Sequence, residues 1–185
     1  MRLFVSVDLD GLTERVAAVQ ELFDDADGLR YTDPEQAHLT LKFLGDVDET
    51  DRPTLRAAIG EAVTESGVSP FKASFGGLGV FPHLDYISVV WLGVDGGEAS
   101  FTALHDAIES RVTDLGYDPE DHEFTPHVTL ARMEHAGSKG LIQDLVTRHD
   151  PDAGAMTVEE LRLKSSTLSG DGPEYSTVKR FALSD

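Results

Sequence analysis

The chain has 185 residues, 40% of them apolar and 26% charged, which suits one domain with a real core and excludes general disorder. It has no cysteine, so disulfides, thiolate nucleophiles and Cys-ligated metal sites are excluded, and no apolar run approaches the roughly 20 residues a membrane span needs. With 34 acidic against 15 basic residues the net charge is −19, which rules out broad non-specific nucleic-acid binding and requires a local basic pocket for any anionic ligand.

The opening Met-Arg-Leu-Phe-Val-Ser-Val-Asp predicts a strand over 1–9, with Leu3, Val5 and Val7 on one side. A signal peptide would continue its apolar stretch here, so a cytoplasmic location is expected. Leu12, Val16, Val19, Leu22 and Phe23 recur at helical spacing and predict a helix over 11–26, ended by Gly28. A strand is expected at about 36–44, closed by Gly45. A helix follows at 49–66, with Pro53 in its first turn and Gly67 after its end. Two strands at about 70–80 and 86–94 flank a turn with Pro82, and a helix runs over 97–116. A strand at about 126–133, a short helix at 138–148 and two strands at about 154–168 and 175–183, around Ser-Gly-Asp-Gly-Pro, complete the chain. Strands and helices alternate without a linker, so residues 1–185 are read as one two-layered α/β or α+β domain. Acids spread along the whole chain, and lysines number only 5 of the 15 basic residues, favouring a halophilic surface on which salt screens the self-repulsion.

The chain contains an internal echo: His38-Leu39-Thr40-Leu41 and His127-Val128-Thr129-Leu130. A given His is followed by this pattern roughly one time in a hundred by composition, and here 2 of 7 are. In a strand, side chains alternate, so His38 and Thr40 share one face while Leu39 and Leu41 share the other; the second copy repeats this. Lys42 would continue the first polar face. Two facing lobes would bring the copies together. Two imidazoles that titrate near neutrality can then divide the work of general base and general acid, and two hydroxyls can hold phosphate oxygens. Lys42 would add positive charge where negative charge grows. The set fits in-line phosphodiester hydrolysis without a metal. It lacks the paired-His spacing of a zinc site and the Gly-x-Ser-x-Gly elbow of a serine hydrolase.

These blocks resemble the 2H phosphoesterase superfamily and, within it, the archaeal and bacterial RNA 2′,3′-cyclic phosphodiesterases, also called 2′-5′ RNA ligases. The resemblance covers nearly the whole chain. It includes Arg2-Leu3-Phe4-Val5, His38 to Gly45, Gly77 to Pro82, Val90-Trp91-Leu92-Gly93-Val94, Phe124 to Arg132, and Gly172-Pro173-x-Tyr175. It implies a bilobal α+β fold with pseudo-two-fold symmetry, two facing antiparallel sheets and outer helices. It also implies metal-independent hydrolysis of a terminal RNA 2′,3′-cyclic phosphate to a 2′-phosphate, with no cofactor. By resemblance, His38 is the proton donor, His127 the acceptor that activates water, and Thr40 and Thr129 hold phosphate oxygens. The near-symmetry of the motifs leaves the two roles interchangeable from sequence alone.

Lys42 and Arg132 stand where they can neutralise the phosphate, although a regular strand would turn Arg132, five residues past His127, to the opposite face. Tyr31 stands where many relatives carry Trp and is a candidate for stacking a terminal base. The implied partners are RNA 3′ ends or cyclic nucleotides met by a monomer, with no membrane. Two alternatives remain open: 2′-5′ strand joining, which water at high concentration opposes, and a non-catalytic module that binds nucleotides or RNA ends. His83, His105, His122, His135 and His149 are read as solvent-facing or capping, with a supporting role for His122 left open. Gly76-Gly77-x-Gly79 is read as a strand bulge, and Phe43, Phe75, Phe81 and Trp91 as core.

Overall fold

In the computed structural model, which describes residues 1–185, the alternating segments pair into one curled, antiparallel, nine-stranded sheet. The strands are β1 (Arg2–Asp8), β2 (Leu29–Tyr31), β3 (His38–Asp46), β4 (Phe71–His83), β5 (Tyr86–Gly96), β6 (His127–Met133), β7 (Asp152–Val158), β8 (Glu160–Ser169) and β9 (Gly172–Ala182). Their order is β7-β4-β5-β6-β3-β1-β8-β9, with β2 pairing to β6. β3, β1, β8 and β9 form one half; β6, β5, β4 and β7, with β2, form the other. The halves meet at a single cross-strand pair, Leu39 opposite Val128. The two sheets expected from the resemblance are thus two halves of one sheet.

Four helices cover the outside: α1 (Thr13–Glu21), α2 (Arg52–Ser66), α3 (Glu98–Asp114) and α4 (Lys139–Arg148). α1 leaves the first half after β1 and packs against β6 and β7 of the second; α3 leaves the second half after β5 and packs against β3 of the first. This exchange interlocks the halves around one hydrophobic core of 36 residues, to which both contribute. No helix is long and apolar enough to cross a membrane.

Three segments differ from the sequence reading. β2 has only three residues, too few for any periodicity to register. α1 ends at Glu21, but successive turns still bury Phe23, so its apolar spacing outlasts its helix. The strand expected at 154–168 is two, broken at Glu159 with no Gly or Pro to mark the break. β7 pairs with β4 and β8 with β1, so the chain crosses between the halves at that residue.

Two bulges decide which side chains reach the concave face of the sheet. Along β3, Thr40 pairs with Ser6 but Lys42 pairs with Val5, so Leu41 and Lys42 share the helix-side face. Along β6, Thr129 pairs with Trp91 but Ala131 pairs with Val90, so Leu130 and Ala131 do the same. An extra residue reverses the alternation beyond it. The Gly-rich stretch of β4 also slips register between Phe75 and Leu78, as the bulge reading expected.

Candidate active site

Leu39 and Val128 point into the core where β3 meets β6. The residues flanking them therefore point to the opposite face: His38 and Thr40 from β3, His127 and Thr129 from β6. Antiparallel register sets His38 beside Thr129 and Thr40 beside His127. The fold therefore gathers all four motif residues on one face of the sheet, in a cleft between its curled halves.

Both imidazoles are held in the same way. Nδ1 of His38 lies 2.9 Å from the Gln36 carbonyl, and Nδ1 of His127 lies 2.7 Å from the Thr125 carbonyl. A carbonyl only accepts, so each Nδ1 carries the proton and each Nε2 is left for chemistry.

Their surroundings differ. His38 packs against Phe4 and the edge of Tyr175, with centroids 5.1 and 5.2 Å away. His127 packs edge-on against Phe81 at 4.8 Å and beside Trp91 at 5.9 Å. Trp91 lies flat over Gly79, where any Cβ would collide with the indole. Burial lowers the pKa of both histidines from the ordinary 6.5, outweighing the carbonyl that each ring donates to. At His38 the charge of Asp8 works against that lowering, while Lys164 and His127 add to it. At His127 the neighbouring charges, Arg132 and the exposed His122, both add to it.

Asp8 lies 2.7 Å from Lys164 Nζ and 2.6 Å from Arg162 Nη1. Burial opposes ionisation of Asp8, but these two cations outweigh it and hold the carboxyl below its usual range. Lys164 Nζ also sits 5.8 Å from the centre of the Tyr175 ring.

The structure reverses one sequence expectation and removes the parity objection to another. Lys42 is not on the histidine face. The β3 bulge turns it to the helix side, where it is 2% exposed, 2.9 Å from Glu109, 3.7 Å from Glu120 and 2.8 Å from the Asp118 carbonyl. Arg132 does face the cleft, because the β6 bulge undoes the parity that would have turned it away. Tyr31 pairs with Ala131 and shares the core-side face of Leu29 and Met133, so it stands off the histidine face. Burial, then Asp24 beyond α1, raises its pKa.

Four residues at the site escaped the sequence reading: Phe4, Asp8, Lys164 and Tyr175. Alternation along β1 could have exposed the first two, since they occupy the face opposite Leu3, Val5 and Val7. Lys164 and Tyr175 depend on the pairing of β8 with β1 and β9. Of the four aromatic residues expected in the core, only Phe75 is there. Phe81 and Trp91 pack on His127, and Phe43 is 60% exposed beside Phe4. His105 is neither solvent-facing nor capping: it is buried, stacks on Phe124 at 4.1 Å and bonds the Leu41 carbonyl at 2.7 Å. No group of three or more His, Asp or Glu side chains is arranged to hold a metal ion.

A sequence profile of the 2′-5′ RNA ligase superfamily matches residues 9–167. The chain is 35% identical to an RNA 2′,3′-cyclic phosphodiesterase of Methanothermobacter thermautotrophicus, over 99% of each chain. It is 37% identical to an RNA 2′,3′-cyclic phosphodiesterase of Aeropyrum pernix, over 81% of this chain and 84% of that one. Among solved structures, E. coli LigT complexed with 3′-AMP superposes with a TM-score of 0.82 at 25% identity, covering 100% of this chain and 99% of that one. The TT0787 protein of Thermus thermophilus superposes with a TM-score of 0.81 at 27% identity, covering 99% and 98%.

Proposed function

Because the chain belongs to the 2′-5′ RNA ligase superfamily, we propose that it opens terminal RNA 2′,3′-cyclic phosphates to 2′-phosphates with two histidines and no metal. Its curated relatives share the name RNA 2′,3′-cyclic phosphodiesterase, and the chain is an enzyme of that hydrolase class. The observation that carries the two-histidine reading is the duplicated lock. Each Nδ1–H is committed to the carbonyl two residues back, and each Nε2 is left on the face where Thr40 and Thr129 also stand.

In the reaction, water attacks phosphorus as Nε2 of His127 takes its proton. Nε2 of protonated His38 gives a proton to the departing O3′, the P–O3′ bond breaks, and a 2′-phosphate with a free 3′-hydroxyl remains. The hydroxyls of Thr40 and Thr129 donate to the non-bridging oxygens, where negative charge gathers. Arg132 and Lys164 supply positive charge at the cleft. The assignment of acid and base rests on their neighbours: a carboxylate, Asp8, acts on His38, whereas no carboxylate acts on His127.

The test is an RNA ending in 2′,3′-cyclic phosphate, incubated with the protein in the presence of EDTA, with the product phosphate located. The expected product is the 2′-phosphate. His38→Ala and His127→Ala should each lower kcat/KM by about 10²–10⁴-fold. Loss of activity in EDTA that added metal restores would overturn the mechanism, and a 3′-phosphate product would overturn the assigned leaving oxygen.

A further inference from the structure

We propose that Arg30 and Arg132 form a second anion subsite, which holds the phosphodiester immediately 5′ of the terminal cyclic phosphate. The inference rests on the reading that the cleft receives RNA ends. In the register of β2 with β6, Arg30 stands directly opposite Arg132, so both side chains share the cleft face. Like charges directly opposite each other in a sheet repel. Yet neither guanidinium is ion-paired, in a chain with 34 acidic residues.

A second cross-strand arginine pair serves as an internal control. Arg162 stands opposite Arg180 in the register of β8 with β9. There one carboxylate, Glu160, bridges both guanidiniums, and Asp8 and Asp10 bind Arg162 as well. Where an arginine pair is structural, the chain supplies the bridging anion. At Arg30 and Arg132 it supplies none, and a guanidinium fork suits the oxygens of a phosphate.

The position selects which phosphate. Arg132 lies on the strand of His127, close enough for its charge to act on His127 and Tyr175. Arg30 lies on β2, at the edge of β6 that also meets β3, and its Nη2 would be 3.2 Å from a Cβ at Gly172, in the β8–β9 hairpin of the other half. The pair therefore spans the cleft beside the histidines, where the backbone of a strand leaving the cyclic end would pass.

The experiment compares three substrates at one fixed salt concentration: cytidine 2′,3′-cyclic phosphate, an ApC dinucleotide ending in 2′,3′-cyclic phosphate, and that dinucleotide with a neutral methylphosphonate linkage. The wild type should prefer the charged dinucleotide over the neutral one by about tenfold in kcat/KM, and Arg30→Ala should abolish most of that preference. Arg30 is exposed, and thermal unfolding of the variant checks that it folds. Equal rates on both dinucleotides in the wild type, or an unchanged preference in Arg30→Ala, would overturn the subsite while leaving cyclic-phosphate hydrolysis intact. A wild type inert on all three substrates would overturn the functional reading and the subsite with it.

Discussion

His38 and His127 each donate Nδ1–H to a carbonyl two residues back, and each precedes a Thr, a buried pair and a bulge at the same spacing. Past the bulge the halves part. In the first, the inward bulge residue is Lys42 and the cleft residue after it is Phe43; in the second these are Ala131 and Arg132. The charges around the rings part as well, with Asp8, Lys164 and Arg162 grouped near His38 and Arg132 near His127. A duplicated backbone fixes where two identical groups stand, and unlike side chains then give them unlike electrostatic surroundings.

The largest expected effect breaks the comparison at the bulge. Lys42→Met leaves Glu109 and Glu120 facing each other without their cation, behind β3. Losing one partner of a buried ion pair should cost about 3 kcal/mol of stability. Thermal unfolding would then shift down by roughly 10 °C for a chain of this size. A phosphate-binding Lys42 would instead lose kcat/KM with an unmoved Tm. One residue past the bulge of the other half, at exposed Arg132, Arg132→Met should do the converse: kcat/KM falls about tenfold or more as a charge-assisted contact is lost, and the Tm stays put.

A smaller effect sharpens the division of labour. Burial lowers both imidazole pKa values, so the bell-shaped profile of kcat/KM should centre on the acid side of 6.5. Its alkaline limb reports loss of the proton from the acid, and its acid limb reports protonation of the base. Asp8→Asn removes the carboxylate that favours the charged His38 and leaves Lys164 and Arg162 unopposed beside it. The pKa of His38 should fall further, moving one limb toward lower pH. If His38 is the acid, the alkaline limb moves and the profile narrows. Movement of the acid limb would exchange the two roles.

The site was legible wherever its signal was local. His-x-Thr-Leu is a four-residue, period-two pattern, and it survives in the fold because β3 and β6 are regular from the His to the Thr, ahead of each bulge. The bulges were not legible, since each arises from how a strand meets its partner: β1 for β3 and β5 for β6. That is why Lys42 leaves the histidine face and Arg132 keeps to it against regular alternation. Lys164 and Tyr175 reach His38 from strands more than 120 residues away in sequence, and no pattern within β8 or β9 announces it. His105 escaped for the same reason, because its partners, Leu41 and Phe124, lie on different segments.

The smallest effect concerns two exposed aromatics, Tyr31 on β2 and Phe43 on β3, strands that both pair with β6. Tyr31 is 39% exposed on the core-side face, whereas Phe43 is 60% exposed on the histidine face beside Phe4. An aromatic ring can stack a base only from the face on which the substrate lies, and such stacking contributes about 1–3 kcal/mol per base. Phe43→Ala should therefore raise KM for an RNA dinucleotide about fivefold or more, with little change in kcat. Tyr31→Ala should leave both constants within about twofold, as a surface substitution away from the site does. Were Tyr31→Ala the variant that raised KM, β2 would have to lie with its other face to the cleft. That reversal would turn Arg30 away from Arg132 as well, so this minor substitution also tests the register on which the arginine pair depends.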